Sequence, residues 1–113
     1  MAKTICVKGK VYTMPEVGKK EYFEYLKIFN GLAEKDRKKV LYSYEDYVDM
    51  ANCIAMIYKN QFTGQDIIDD DDIAIDEIIT NFMYVEAEKT MRVNNKMDKY
   101  RKAFQNGKGA KKK

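Results

Sequence analysis

The sequence predicts a mainly α-helical protein of the α+β class, in which a short N-terminal β-hairpin packs on a bundle of about three to four helices. Apolar residues recur at three- and four-residue steps through three long segments, as in helices that bury one face. Before them, apolar and polar residues alternate on both sides of a Lys-Gly-Lys turn, as in a two-stranded hairpin. A chain of 113 residues with 45% hydrophobic content is long enough for one modest core.

The hairpin is predicted over residues 3–14, with its turn centred on Gly9. Pro15 ends the second strand because proline has no amide hydrogen to donate to a ladder. A lone hairpin is marginally stable in water, so its apolar face must lie on another element. We expect that element to be the first long helix, which begins near Gly18.

This first helix is predicted to bury a stripe rich in aromatic side chains. The positions expected to face inward are Tyr22, Phe23, Leu26, Phe29, Leu32 and Ala33. Residues 34–39 contain no apolar side chain, so they are expected to form a charged connector.

The second helix is predicted to begin after Ser43, a good N-cap residue, with Asp46 placed to complete a capping box. Tyr42 and Tyr47 have the spacing of a hydrophobic staple across this start. The inward positions of this helix are Tyr47, Val48, Ala51, Ile54, Ala55 and Tyr58. The third long helix is expected to open at Ile73, and its inward positions are Ile75, Ile78, Ile79, Phe82 and Val85. These two helices should pack on each other.

The connection between them contains a second helix-start signal. The second helix is expected to end at Phe62, and Thr63 with Asp66 then forms another capping box, so that a short turn begins at Gly64. Phe62 and Ile67 are spaced as its staple.

Four consecutive aspartates at residues 69–72 allow two interpretations, a metal site or a solvated helix start. An EF-hand loop alternates its ligands and needs a glycine at its turn, and this run has neither feature. We therefore predict no metal site and expect Asp72 to cap the helix that opens at Ile73.

Several classes of chemistry are disfavoured. The chain has no histidine, which excludes a histidine general base, and the residues around Gly18 fail to match a phosphate-binding loop. We predict no enzymatic activity, no catalytic residue and no cofactor. Cys6 and Cys53 are expected to be reduced and half-buried. Because no segment resembles a signal peptide or a membrane span, a cytoplasmic protein without a membrane partner is expected.

Charge divides the chain into two predicted regions. Residues 1–88 carry 11 basic and 17 acidic side chains and should form a globular domain, whereas residues 89–113 carry 10 basic and one acidic. The second region is predicted to be a basic tail, partly helical and then disordered after about residue 105. Its lysines and arginines could contact nucleic acid.

The nine tyrosines allow two interpretations. They could stack on nucleobases, although their helical spacing favours a position at the edge of a core.

Methionine side chains either fill gaps in a core or give an adaptable contact surface. The residues that we expect to contact a partner are Met50, Met56, Phe62, Ile67, Ile68, Met83 and Met91.

Three sequence features together resemble a known family over residues 3–85: the strand pair VKGKVYTMPE, the aromatic-rich helix, and YEDYVDMANCIAMIYKNQFTGQDIID. The chain is similar to the small tail assembly chaperones of long-tailed bacteriophages and prophages of Gram-positive bacteria, and the QFT-x-x-D-I-I turn is the most telling piece. The basic end is not a defining feature of that family.

The resemblance implies a non-catalytic protein of the host bacterial cytoplasm that is absent from the mature virion. Its partners would be the phage tape measure protein, which it keeps soluble, and the tail tube protein, whose subunits it helps recruit. Formation of a homo-oligomer stays open, and nucleic acid is not expected as a partner. The alternatives are a structural connector of the virion, or a nucleic-acid-binding module that uses the basic C-terminal segment.

Overall fold

The computed structural model describes the backbone of residues 3–112 and the side chains of residues 3–90, 97–99 and 101. Its elements in chain order are β1 (Thr4–Val7), β2 (Lys10–Thr13), α1 (Lys19–Lys38), α2 (Tyr44–Ile57), α3 (Gly64–Asp69) and α4 (Ile75–Lys112). The two strands form one antiparallel hairpin. The predicted fold class, mainly helical with a short N-terminal hairpin, is therefore confirmed.

The hairpin closes through a two-residue turn. Val7 pairs with Lys10, which leaves Lys8 and Gly9 between the strands with φ angles of 51° and 81°. Positive φ at both central residues gives the turn a twist that matches the twist of the strands, and glycine adopts it without steric cost. The turn lies where the Lys-Gly-Lys pattern places it.

The hairpin is anchored to α3 and the residues on either side of it, whereas we expected it to lie on α1. The Lys8 amide donates a hydrogen bond of 2.6 Å to Asp70 Oδ2, and Lys8 Nζ lies 3.0 Å from Asp66 Oδ1. On β2, the ring of Tyr12 meets the ring of Phe62 edge to face, with 4.8 Å between centroids. Part of the acidic run therefore binds the hairpin tip.

Helix α1 continues through residues 34–38, where a charged connector was expected. Glu34 forms ion pairs with Arg37 and Lys38, three and four residues further on. Such pairs stabilise a helix, and basic side chains in the last turn oppose the negative end of its dipole. A helical segment therefore needs no apolar residue of its own when it extends a helix that is already packed.

The buried face of α1 is rotated from the predicted one. Tyr25 and Leu32 are its buried residues, and the Tyr25 ring lies 4.7 Å from the ring of Phe82 on α4. Phe23 is 54% exposed and Ala33 is also exposed, so the prediction that they face inward was wrong.

Helix α2 lies at the centre of the core and contacts α1, α3 and α4. Its buried side chains are Met50, Ala51, Cys53, Ile54, Ala55 and Ile57. Helix α4 adds Ile78, Phe82 and Val85 to the same cluster. The predicted packing of the second helix on the third long helix is confirmed.

Helix α2 ends at Ile57 instead of Phe62. Lys59 and Asn60 have φ angles of 63° and 58°, which no α-helix accepts. The Lys59 amide donates to Met56 O and the Asn60 amide to Ala55 O, so this end is a Schellman motif. The second predicted start is confirmed, because α3 begins at Gly64 behind a complete capping box of Thr63 and Asp66.

Helix α4 opens at Ile75, two residues later than predicted. The Ala74 carbonyl accepts from the amides of Glu77 and Ile78, which gives Ala74 the N-cap position expected for Asp72. The Asp72 amide instead donates to Asp70 Oδ1 at 2.9 Å. Ile75, expected to face inward, is 61% exposed.

Helix α4 has 38 residues and is therefore about 57 Å long at 1.5 Å per residue. It continues through residue 88, and this continuity does not test the division into residues 1–88 and 89–113. That division stays a prediction, as does disorder after about residue 105.

Candidate partner-binding surface

The residues predicted to contact a partner fall into three groups. Met50, Phe62 and Ile67 are at most 5% exposed and belong to the core. Met56, Ile68 and Met83 are half-buried at the edge of that core. The side chain of Met91 lies outside the described residues. The six residues whose side chains are described therefore do not form one exposed surface.

The apolar surface that the sequence analysis missed lies between α1 and α2. Val40 is 51% exposed, Leu41 89% and Tyr44 60%. These three residues, called the apolar corner below, lie close together in sequence on both sides of the Ser43 cap. Val40 and Leu41 belong to no helical stripe and Tyr44 is only the first residue of α2, so a search for periodic patterns passes over the group.

The backbone before the apolar corner is fixed by the end of α1. Lys39 has a φ of 60°, its amide donates to Asp36 O at 3.1 Å, and the Val40 amide donates to Lys35 O at 2.9 Å. This pair of bonds is a Schellman motif. A hydrophobic residue after such a helix end often packs back on the last turn, yet Val40 remains half exposed.

The backbone after the apolar corner is fixed by the start of α2. The Ser43 hydroxyl accepts from the Asp46 amide, and the Asp46 carboxylate accepts from the Ser43 amide at 2.7 Å. The rings of Tyr42 and Tyr47 meet edge to face at 6.1 Å between centroids, which confirms the predicted staple. Leu41 is therefore held in an exposed position between two ordered helix ends.

Side-chain contacts tie these two helix ends together. Lys35 on α1 forms an ion pair with Asp46 on α2. The pKa of Asp46 is lowered, first by the hydrogen bond from Lys35 and then by that from the Ser43 amide. Tyr42 donates to Asp36 Oδ1 at 2.8 Å, and burial together with this bond raises the pKa of Tyr42 to about 12. The α1–α2 connection is thus a rigid corner with an apolar tip.

The described side chains show no arrangement typical of a metal centre, since no group of three or more cysteine and carboxylate side chains among them could hold an ion. Cys53 is buried, which raises its thiol pKa to about 12, whereas Cys6 is exposed and not half-buried as expected. In the part of the chain that the structure describes, none of the helices combines the length and the hydropathy needed to cross a bilayer.

Comparison with known proteins gives one positive result. A family model described as phage tail chaperone protein matches residues 2–109, nearly the whole chain. Neither the curated proteins nor the solved structures yielded a match. The match includes the hairpin, the apolar corner and the QFT turn, and it extends beyond residues 3–85 into the basic segment. The chain belongs to the phage tail chaperone protein family.

Proposed function

We propose that this protein binds the tape measure protein of a long-tailed phage or prophage of a Gram-positive host and helps recruit tail tube subunits during tail assembly. The observation that carries the proposal is the family match across residues 2–109. In this role the protein acts by binding and without catalysis, in the host cytoplasm, and leaves before the virion is complete.

The apolar corner supports this function physically. A long helical protein such as a tape measure protein exposes apolar seams that drive aggregation until another surface covers them. An apolar tip of Val40, Leu41 and Tyr44 on a rigid corner provides such a surface at little cost in ordering. Arg37 and Lys38 in the last turn of α1 place positive charge beside it. We assign the first contact with an apolar helical seam to this corner.

We propose the half-buried residues as further partner contacts, separate from the apolar corner. Met56, Ile68 and Met83 are accessible in part and pack against the core, so a partner helix could reach them without unfolding the domain. Met50, Phe62 and Ile67 are assigned to folding, because a partner would reach them only if the helices separated. Substitution of any of these three residues would weaken binding only by destabilising the fold.

The test is co-expression with the tape measure protein from the same genome. The full-length chain should raise the soluble fraction of that protein and co-purify with it. Leu41→Ser removes an exposed side chain whose burial on binding contributes about 1.5–3 kcal/mol, so the dissociation constant should rise roughly ten- to hundredfold. Val11→Ser is the matched control, because Val11 is also an exposed apolar residue, 64% exposed, but belongs to β2 and not to the α1–α2 connection.

The possible outcomes separate the alternatives. No gain in solubility and no co-purification with the unaltered chain would refute the proposed function. If Leu41→Ser and Val11→Ser lost the same affinity for the tape measure protein, the contact proposed for the apolar corner would be refuted, but the chaperone role would stand. Detection of the protein in purified virions would favour the structural connector, and a tight, sequence-selective complex with DNA or RNA would favour the nucleic-acid module. Sedimentation of the free protein would measure self-association.

A further inference from the structure

A cavity of about 180 Å³ lies between the hairpin and the first turns of α4, apart from the apolar corner. Residues 3–6 line it on the hairpin side, and Asp76, Glu77, Thr80 and Asn81 line it on the helix side. Its lining is therefore rich in hydrogen-bonding groups, and one of its walls is a β-strand.

That strand has a free edge. Within the described chain β1 pairs only with β2. Val7 flanks the two-residue turn, so Val7 and Ile5 direct their amide and carbonyl groups toward β2. The Met14 amide donates a hydrogen bond of 2.8 Å to the Lys3 carbonyl, so every second residue from Lys3 to Val7 is bonded on the β2 side. Thr4 and Cys6, which line the cavity, therefore direct their backbone groups to the opposite edge, where another strand can pair.

The helix wall holds a buried acceptor without a donor. Asn81 is 3% exposed, and its Nδ2 donates to the Glu77 carbonyl at 2.8 Å. This bond fixes the orientation of the Asn81 amide, because after a flip the amide oxygen would lie against the Glu77 carbonyl oxygen, and both of these atoms are acceptors. Asn81 Oδ1 has no hydrogen-bond partner among the described residues. The accessible area of this atom is below 1 Å², so a group bound in the cavity does not reach it, and the exposed groups of the lining select the ligand.

The charges at the cavity favour a cationic donor. Asp76 and Glu77 place two carboxylates in the lining, and among the described residues Asp76 forms no ion pair. Glu77 accepts a hydrogen bond of 3.4 Å from the Ala74 amide through one oxygen. The single cation in the lining, Lys3, holds its Nζ 5.8 Å from the centre of the Tyr84 ring. Acceptors thus outnumber donors on the helix side, as suits a lysine or arginine side chain.

We propose that the free edge of β1 and this cavity bind an extended peptide segment of a partner protein. The segment pairs with β1 as a third strand and places one lysine or arginine side chain in the cavity, where it faces the carboxylates of Asp76 and Glu77. Addition of a strand to an exposed sheet edge is an established mode of peptide recognition, in which backbone bonds give affinity and a side-chain pocket gives specificity. This site does not depend on the contact proposed for the apolar corner.

The experiment titrates the ¹⁵N-labelled full chain with a short acetylated and amidated peptide, Thr-Val-Lys-Val-Thr, and follows the amide resonances. The amides of Thr4 and Cys6 and the side-chain amide of Asn81 should shift together. A peptide with norleucine in place of lysine should bind at least about tenfold more weakly, because it lacks a charge-assisted hydrogen bond. A peptide N-methylated on alternate amides, which cannot complete the strand pairing, should not bind.

Variants of the protein test the same site. Asp76→Asn, at an exposed position where folding is not at risk, should weaken binding about tenfold or more. Asp71→Asn is the matched control and should leave the affinity unchanged, because Asp71 is an exposed carboxylate outside the cavity. Equal binding of the lysine and norleucine peptides, resonance shifts elsewhere on the protein, or binding of n-butylammonium as tight as that of the peptide would overturn the proposal.

Discussion

Phe62 offers the sharpest test of how the fold is held together, because one side chain joins three elements. It is 5% exposed and lies between Tyr12 on β2, at 4.8 Å between ring centroids, and Tyr58 at the end of α2, at 5.4 Å. It also directly precedes the cap of α3. Phe62→Ala would therefore weaken the attachment of the hairpin and the α2–α3 connection at once.

The magnitude follows from these contacts. Replacement of a buried phenylalanine by alanine costs about 3–5 kcal/mol in unfolding free energy. That range already includes the ring contacts of the replaced side chain, and the two aromatic pairs, each about 0.5–1.5 kcal/mol beyond burial, place Phe62→Ala in its upper half, at about 4–5 kcal/mol. A domain of this size has about 5–15 kcal/mol in total, so the variant should lose a large share of its stability.

Urea unfolding followed by far-ultraviolet circular dichroism measures this loss. Phe62→Leu keeps most of the side-chain volume and should lose only about 1–2 kcal/mol, so it provides a measurable value if the alanine variant does not fold. Phe23→Ala is the control, since Phe23 is 54% exposed and its loss should stay within about 0.5 kcal/mol. A loss below about 1 kcal/mol for Phe62→Ala, or one equal to that of Phe23→Ala, would refute the central role of Phe62.

Three further predictions concern packing, acid and thiol reactivity. Gly64→Ala should cost about 1–3 kcal/mol in urea unfolding, because its Cβ would lie 2.8 Å from the Asn52 backbone nitrogen, whereas Gly31→Ala, where nothing lies within 4 Å, should stabilise the chain. Hydrogen bonds from the Thr63 and Lys8 amides lower the pKa of Asp66 and Asp70, respectively. Carboxylates whose folded-state pKa lies below the ordinary 3.8 stabilise the protein above that pH. The urea concentration at the unfolding midpoint should therefore decrease when the pH is lowered from about 5 to about 2, and the decrease should be smaller in Asp70→Asn. An aromatic disulfide reagent should modify exposed Cys6 rapidly and buried Cys53 only after unfolding, and Cys6→Ser should remove the fast phase; two equally fast thiols would contradict the burial of Cys53.

The parts of the fold that could be predicted from sequence are those fixed by neighbouring residues. The Lys8-Gly9 turn and the capping boxes at Ser43 and Thr63 each depend on groups within a few positions of one another, and all three appear where expected. Helix ends were less predictable. The end of α2 at Ile57 depends on left-handed backbone at two residues that are not glycine, Lys59 and Asn60, a signal that composition does not give.

The orientation of α1 could be predicted only in part: Leu32 is buried and Tyr22, Leu26 and Phe29 pack against the core as expected. Aromatic residues lie on more than one side of this helix, and periodicity alone does not tell whether Tyr25 or Phe23 faces the core. The choice is made by α4, whose Phe82 lies 4.7 Å from Tyr25. A contact between residues so far apart in sequence leaves no trace in the local pattern.

The same reasoning explains why the candidate surface was missed and where such surfaces are to be sought. Periodic apolar residues predict a core, and some residues that were expected to contact a partner, such as Met50 and Ile67, are buried in that core. Leu41 belongs to no stripe, follows one helix end and precedes the next cap, and remains 89% exposed. Folding gains nothing from an apolar side chain held in water by two ordered helix ends. Burial of this side chain would have to come from another molecule, which is the physical ground for the proposal of a partner contact there.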